Sequence, residues 1–227
     1  MKVTALIVAG GMGKRMGEGK NKVFLPLYGK TVIEHTLNAF FLAGSVEEIV
    51  IVTRKEDISE CERLFSSAKK NVKVVEGGST RQESVYNGLK GIDDGIVLIH
   101  DAARALIEAD IVEQCVEACG KYGASAVGVT CVDTLKRVDE NGFIIETIPR
   151  EGVYRIQTPQ TFKVKDIKYA HEKALEENFE TTDDCALYEK YMGKIKIVEG
   201  TSENIKITFP EDLVLASTIL KKKKETK

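Results

Sequence analysis

The chain has 227 residues, enough to bury one full hydrophobic core or two small ones. Its 33 Lys and Arg against 35 Asp and Glu leave a net charge of −2, which argues against holding nucleic acid by bulk electrostatics but permits a local basic pocket. No apolar run approaches the roughly 20 residues of a membrane span, and residues 2–8 lack the pattern of a secretory signal, so a cytoplasmic chain with no membrane partner is expected.

Read from the N-terminus, the β-branched run 4–8 predicts a first strand that stops at Gly10-Gly11. Thr31, followed three residues later by Glu34, predicts a capping box, and Val32, Ile33, Leu37, Phe40 and Phe41 share one face of the helix behind it. Strands are predicted at 48–53, 72–76, 95–100 and 125–132. Asp57 with Glu60, and Thr80 with Glu83, open two intervening helices, and 107–122 is a third. The segment TLKRVDENGFIIETIPR breaks this alternation. It reads as two extended arms around Asn141-Gly142, a two-residue hairpin signal. An arm at about 133–153 is too exposed to be stable alone and is expected to pack on a second copy, giving a homodimer. A helix at 165–178, strands at 194–199 and 204–208, and a last helix with Pro210 in its first turn complete the series. The run Lys221 to Lys224 suits a solvated helix end. Five cysteines, Cys61, Cys115, Cys119, Cys131 and Cys185, have no zinc-site spacing and read as reduced core thiols.

Strand–helix alternation with nearly continuous apolar strands predicts a single α/β domain, 1–227, whose mainly parallel sheet is covered on both faces. Ligands bind such sheets at the strands' carboxyl ends, which brings Ala9-Gly10-Gly11, Gly77-Gly78-Ser79 and His100 to Arg104 to one crevice.

The stretch 10–22, glycine-rich and basic behind a first strand, is a candidate phosphate cradle. It does not match the dinucleotide fingerprint, because Met16 stands where the third glycine belongs and 53–54 supplies no acid for a ribose. Nor is it a Walker loop: Gly13-Lys14 is followed by Arg15, and Gly19-Lys20 by Asn21, so no hydroxyl is placed for magnesium. A nucleotidyltransferase loop remains, in which backbone N–H groups wrap a triphosphate and Arg15 and Lys22 face charge developing on the α-phosphate.

Six motifs in order, AGGMGKRMG with the following NK, GGSTRQESV, IHDAAR, DTLKRV, QTPQTF and ENIKIT, resemble the 2-C-methyl-D-erythritol 4-phosphate cytidylyltransferase family from residue 6 to 213. The resemblance implies a Rossmann-like sheet, a dimerising arm, and transfer of a cytidylyl group from CTP to methylerythritol phosphate with Mg²⁺, in the non-mevalonate isoprenoid pathway. It implies catalytic roles for Arg15, Lys22, Arg150 and Lys206. Ala9, Gly10, Gly11, Met12, Gly13, Gly78, Ser79 and Ser84 would hold the nucleotide. Asp101, Arg104, Thr134 and Thr158 would hold the acceptor, with Thr134 and Arg150 reaching in from the partner copy. Asp101 is also a candidate for the Mg²⁺ shell, while His100 reads as a packing residue. Asn21 and Val23 depart from the family's usual Pro and Gln, Ala105 from a usual Pro, and Thr31 from another. Ribitol-5-phosphate cytidylyltransferases share nearly every motif, so either polyol phosphate stays open as acceptor. A sugar-1-phosphate nucleotidyltransferase and a non-catalytic nucleotide sensor are further alternatives.

Overall fold

The first strand, β1 (Val3–Val8), is apolar on both faces, as a strand must be when helices cover the sheet from both sides. Its Leu6 and Ile7 are fully buried, each contributing roughly 1.5–3 kcal/mol relative to exposure. The structure, a computed structural model, describes residues 1–11 and 21–225, so the expectations for Met12, Gly13 and Arg15 lie outside the described residues. A short antiparallel pair, β2 (Pro26–Leu27) and β3 (Lys30–Thr31), delivers the chain to α1 (Val32–Leu42). The capping box forms: Thr31 Oγ1 accepts from Glu34 N, and the Glu34 carboxylate accepts from Thr31 N at 2.7 Å.

Elements β4 (Glu48–Thr53), α2 (Ile58–Phe65), β5 (Asn71–Glu76), α3 (Arg81–Lys90), β6 (Ile96–Asp101), α4 (Ala109–Tyr122) and β7 (Ala124–Thr130) follow in strict alternation. Next come the hairpin strands β8 (Leu135–Val138) and β9 (Ile144–Ile148), strand β10 (Tyr154–Lys163), and helices α5 (Val164–Glu176) and α6 (Asp184–Tyr191). Strand β11 (Lys196–Glu199) and helix α7 (Pro210–Glu225) finish the chain. Among the described residues seven strands form one sheet in the order β11-β7-β10-β6-β1-β4-β5. Neighbouring strands run parallel except at β10, which is antiparallel to both β6 and β7. Side chains of α1, α2 and α4 fill one face, and those of α3, α5 and α6 the other. A smaller apolar cluster joins Leu27, Val32, Leu106 and Ile207 to Ala216 of α7.

The structure corrects several local expectations. Residues 204–208 alternate like a strand but join no sheet; Ile207 is fully buried, its N donates to Ala103 O at 2.8 Å, and the stretch is an extended connection past the end of β6. Asp57 does not cap α2, because its carboxylate accepts from Arg54 Nε at 2.7 Å and Asn21 Nδ2 at 2.9 Å instead. The arm is a hairpin, but its loop has three residues, 140–142: Asp139 N donates to Phe143 O, and Gly142 adopts φ +84°. The Asp139 carboxylate accepts from Asn141 N and Phe143 N, and this local turn widens the loop beyond the two residues that Asn-Gly signals. Lys223 is paired with Glu108 and Glu203 rather than freely solvated. All five cysteines are buried and unpaired by disulfides, and burial pushes the Cys61, Cys115 and Cys119 thiols up to about 12.

Candidate active site

Strands β4 and β5 extend the sheet to one side of β1, whereas β6, β10, β7 and β11 lie on the other. The crevice predicted for such a reversal is present at the carboxyl ends of the strands. It holds a cavity of about 530 Å³ lined by Ala9, Gly10 and Gly11 beyond β1, Gly78 and Ser79 beyond β5, and Asp101 ending β6. Lys22, Ser84, Arg81 and Lys206 complete the same wall. A second cavity, about 220 Å³, contains Arg104, Thr158 and Gln160 and shares Arg81, Asp101 and Lys206 with the first. The two spaces therefore meet at one carboxylate and two cations.

The glycines on the two sides of the larger cavity are there for different reasons. Among the described residues a Cβ on Gly10 or Gly11 would meet nothing within 4 Å, so packing against these residues does not demand glycine there. A Cβ on Gly78 would fall 2.3 Å from Glu83 Cγ, so that corner admits only glycine without displacing the Glu83 side chain. The Ser84 hydroxyl fixes the corner, accepting from Gly78 N at 3.0 Å and donating to Thr80 O at 2.8 Å. Ser79 donates from both N and Oγ to the Glu83 carboxylate at 2.7 Å. Glu83 thus braces the corner, while Thr80 Oγ1 alone caps α3 by accepting from Glu83 N.

Lys22 reaches the cavity because Asn21, the residue before it, is anchored. Asn21 is buried; its Nδ2 donates to Ala9 O at 2.6 Å and to Asp57, and its Oδ1 accepts from Val23 N. This ties the start of the 22–24 turn to the end of β1, at a position where the family resemblance led one to expect a proline. Lys206 is placed from the other direction. Buried Ile207 pins the backbone to Ala103 O, and Lys206 Nζ then lies 2.7 Å from Asp101 Oδ2.

Asp101 sits between two cations, with Arg81 Nε 3.3 Å from its Oδ1. Burial acts to raise its carboxyl, but Arg81 and Lys206 outweigh burial and hold it well below the usual carboxylate range. Arg81 continues the series, its Nη1 donating to the buried carboxylate of Asp184 at 2.7 Å. Burial opposes the Arg81 charge, yet Asp184 and Asp101 together keep the guanidinium raised. Asp184 in turn lies 3.1 Å from His171 Nε2; burial acts to raise the Asp184 carboxyl, but Arg81 and His171 together outweigh it and hold the carboxyl below its ordinary value.

His100 is fully buried, as a packing residue should be, and it also organises the smaller cavity. Thr158 Oγ1 accepts from Asp101 N at 3.1 Å; because Arg104 O can only accept, the neutral ring carries its proton on Nε2, and Thr158 Oγ1 donates to His100 Nδ1 at 3.0 Å. His100 Nε2–H donates to Arg104 O at 3.2 Å. Burial pushes the imidazole down to about 4, so it is neutral near pH 7. The Thr158 hydroxyl, expected to meet an acceptor, is already engaged in this clamp. Arg104 lines the cavity with Nη1 held by Asn204 O at 2.8 Å, and burial lowers its pKa without discharging it.

Thr134 and Arg150 are not among the described residues lining either cavity; both are exposed at the base of the arm, where Arg150 Nη1 donates to Val132 O at 2.6 Å. The arm also leaves Phe143, Ile144 and Ile145 at least 60% exposed, which one copy of the chain does nothing to cover. Sequence reasoning missed Arg81, Gln160 and Asp184. Arg81 was hidden behind its neighbour's cap, although an arginine opening a helix, where the dipole disfavours a cation, was a signal. Asp183-Asp184 was a second, two acids opening an unrecognised helix.

Among the described residues no group of three or more His, Cys, Asp and Glu is placed to hold a metal ion. Asp101 is the one acid among the described residues of the larger cavity. That donor set suits a hard cation carried in on phosphates with at most one protein carboxylate.

The geometry can be set beside known proteins. The sequence profile of the family described as IspD: 2-C-methyl-D-erythritol 4-phosphate cytidylyltransferase matches residues 3–222. The 2-C-methyl-D-erythritol 4-phosphate cytidylyltransferase of Caldanaerobacter subterraneus is 44% identical over 227 residues, covering 98% of this chain and 100% of that one. A Clostridium botulinum protein of the same name is 43% identical, covering 97% and 98%. The crystal structure of 4-diphosphocytidyl-2C-methyl-D-erythritol synthase from Anaerococcus prevotii superposes with a TM-score of 0.87 at 32% identity, covering 97% and 98%.

Proposed function

The chain belongs to the IspD family of 2-C-methyl-D-erythritol 4-phosphate cytidylyltransferases, and from that premise we propose how its cleft works. It transfers the cytidylyl group of CTP to methylerythritol phosphate, giving the diphosphocytidyl product and pyrophosphate in isoprenoid precursor biosynthesis. One observation carries the assignment of roles: Lys22 and Lys206, 184 positions apart in the chain, line one cavity with Gly10, Gly11 and Asp101.

In this reading the backbone around Ala9, Gly10 and Gly11, continued by Met12 and Gly13, wraps the triphosphate. The Gly78 corner, with Ser79 and Ser84, faces the base; a small pyrimidine edge needs little more than backbone groups and one hydroxyl. Lys22, together with Arg15, neutralises the α-phosphoryl group and the departing pyrophosphate. Lys206 and Arg104 hold the acceptor's phosphate on the other flank. One of its oxygens attacks the α-phosphorus in line; the new P–O bond forms as the bond to the β-phosphate oxygen breaks, and that electron pair leaves on pyrophosphate. The attacking phosphomonoester is largely dianionic at neutral pH, so no strong general base is required, only positioning and charge. A divalent cation, Mg²⁺ in this proposal, would be held by Asp101 and the phosphates, and it supplies charge neutralisation. Asp101 meanwhile aims Lys206.

The arm completes the proposal. Its exposed apolar face packs on a second copy, and Thr134 and Arg150 enter that copy's acceptor site, which makes a homodimer the working unit.

Pyrophosphate release is the test. CTP with methylerythritol phosphate and Mg²⁺ should give turnover, and UTP or dTTP should not replace CTP. Turnover with ribitol 5-phosphate alone would move the assignment to the sister activity, and CTP binding without turnover on either acceptor would make the protein a sensor.

A further inference from the structure

Asp184 touches neither cavity, yet it is buried and charged. Its side chain is 1% exposed, and both oxygens are engaged, one with Arg81 Nη1 at 2.7 Å and one with His171 Nε2 at 3.1 Å. Its own N–H donates to Gln160 Oε1 at 3.0 Å, so the carboxylate is fixed from its backbone outward. Burying such a group is expensive, and an apolar replacement of both partners would often serve stability as well. A structural reason alone therefore explains it poorly.

The geometry downstream supplies another reason. Arg81 is a planar fork whose Nη1 edge is held at 2.7 Å by Asp184, while its Nε edge stands 3.3 Å from Asp101 Oδ1. This leaves Asp101 Oδ2 for Lys206 Nζ at 2.7 Å. With Asp184 neutralised, the guanidinium loses its rear anchor and is free to close on Asp101 with two N–H groups, the strongest arrangement open to that pair. Lys206 would then lose the oxygen that aims it. We propose that Asp184 is a positioning residue for the transfer reaction, acting through Arg81 and Asp101 to hold the Lys206 ammonium in place. The chain of alternating charge runs from α6 through the first residue of α3 and the end of β6 to the 204–208 connection, so three separate parts of the fold set a cation carried by a fourth. This rests on the transfer reaction proposed above.

A double-mutant cycle with Lys206 tests it. Asp184→Asn is expected to lower kcat/KM for the acceptor about tenfold in the wild-type background, but less than twofold in a Lys206→Ala background, because the group it positions is then gone. Arg81→Lys keeps the charge but loses the fork, should show the same non-additivity, and decides the matter if Asp184→Asn fails to fold. Equal losses in both backgrounds would overturn the proposal and reduce Asp184 to a folding residue. Failure of the wild-type chain to turn over any polyol phosphate would sink the transfer reading itself; turnover with additive losses would sink only this inference.

Discussion

A buried imidazole makes the pH dependence of this fold specific. His100 is neutral in the folded chain down to about pH 4, whereas an unfolded histidine takes its proton near 6.5. Between those values the unfolded chain binds more protons, so stability falls as pH is lowered through this window, by about 1.4 kcal/mol per unit from this group. Asp101 and Asp184 have the opposite origin but the same sign: both carboxyls are depressed, and their contribution is lost only as pH falls below about 3.8, their ordinary value. Urea denaturation of wild type and His100→Gln from pH 7 to 4 should therefore show a steeper loss in wild type. Parallel curves would mean the imidazole titrates in the fold as it does in water. His100 also shows what residue-scale reading reaches. Its place at the end of an apolar strand fits its burial, but the clamp from Thr158 to Arg104 needed residues 58 positions away.

At the scale of elements, α3 carries the most for its length. It presents Arg81 at its first residue, braces the Gly78 corner through Glu83 and Ser84, and lies so close to the sheet that Gly88 faces Val52 and Leu6. A Cβ there would stand 2.6 Å from Val52 Cγ2 and 2.8 Å from Leu6 Cδ1, both fully buried side chains. Replacing the glycine by Ala gains about 1 kcal/mol of helix propensity but overpacks the core at a cost of about 1–3 kcal/mol. Gly88→Ala should thus lower the melting temperature, and tilting α3 should raise KM for CTP. A melting temperature above wild type would show that the sheet yields. The elements legible in the sequence were the β-branched strands β1, β4, β5, β6, β7 and β11 and the helices α1 to α5 and α7. Strand β10 stayed hidden because its sequence, YRIQTPQTFK, is largely polar and carries Pro159, features that normally argue against an inner strand. Residues 204–208 failed in the opposite direction: alternation is necessary for a strand, but a ladder partner must also be there.

At the scale of the whole molecule, the strand ends after β1, β5 and β6 were placed in one crevice by a general rule of α/β sheets, and they share a cavity. What no local rule conveyed was the wiring of that cavity, since Arg81, Asp101, Asp184 and Lys206 come from four separate regions of the chain. The proposed dimer extends this logic across two chains. Lys22→Ala and Arg150→Ala proteins, each nearly inactive, should regain about a quarter of wild-type turnover when unfolded, mixed and refolded, because half the dimers then hold one intact site of two. No recovery would place Arg150 in its own chain's site or outside any site. The central claim is narrower: cations from opposite ends of the chain flank one reacting phosphorus. Steady-state pyrophosphate release by Lys22→Ala and Lys206→Ala tests it most directly. Each should lose about 100-fold in kcat with an unchanged melting temperature, Lys22→Ala raising KM for CTP and Lys206→Ala raising KM for the polyol phosphate. Wild-type kcat in Lys206→Ala would contradict the account.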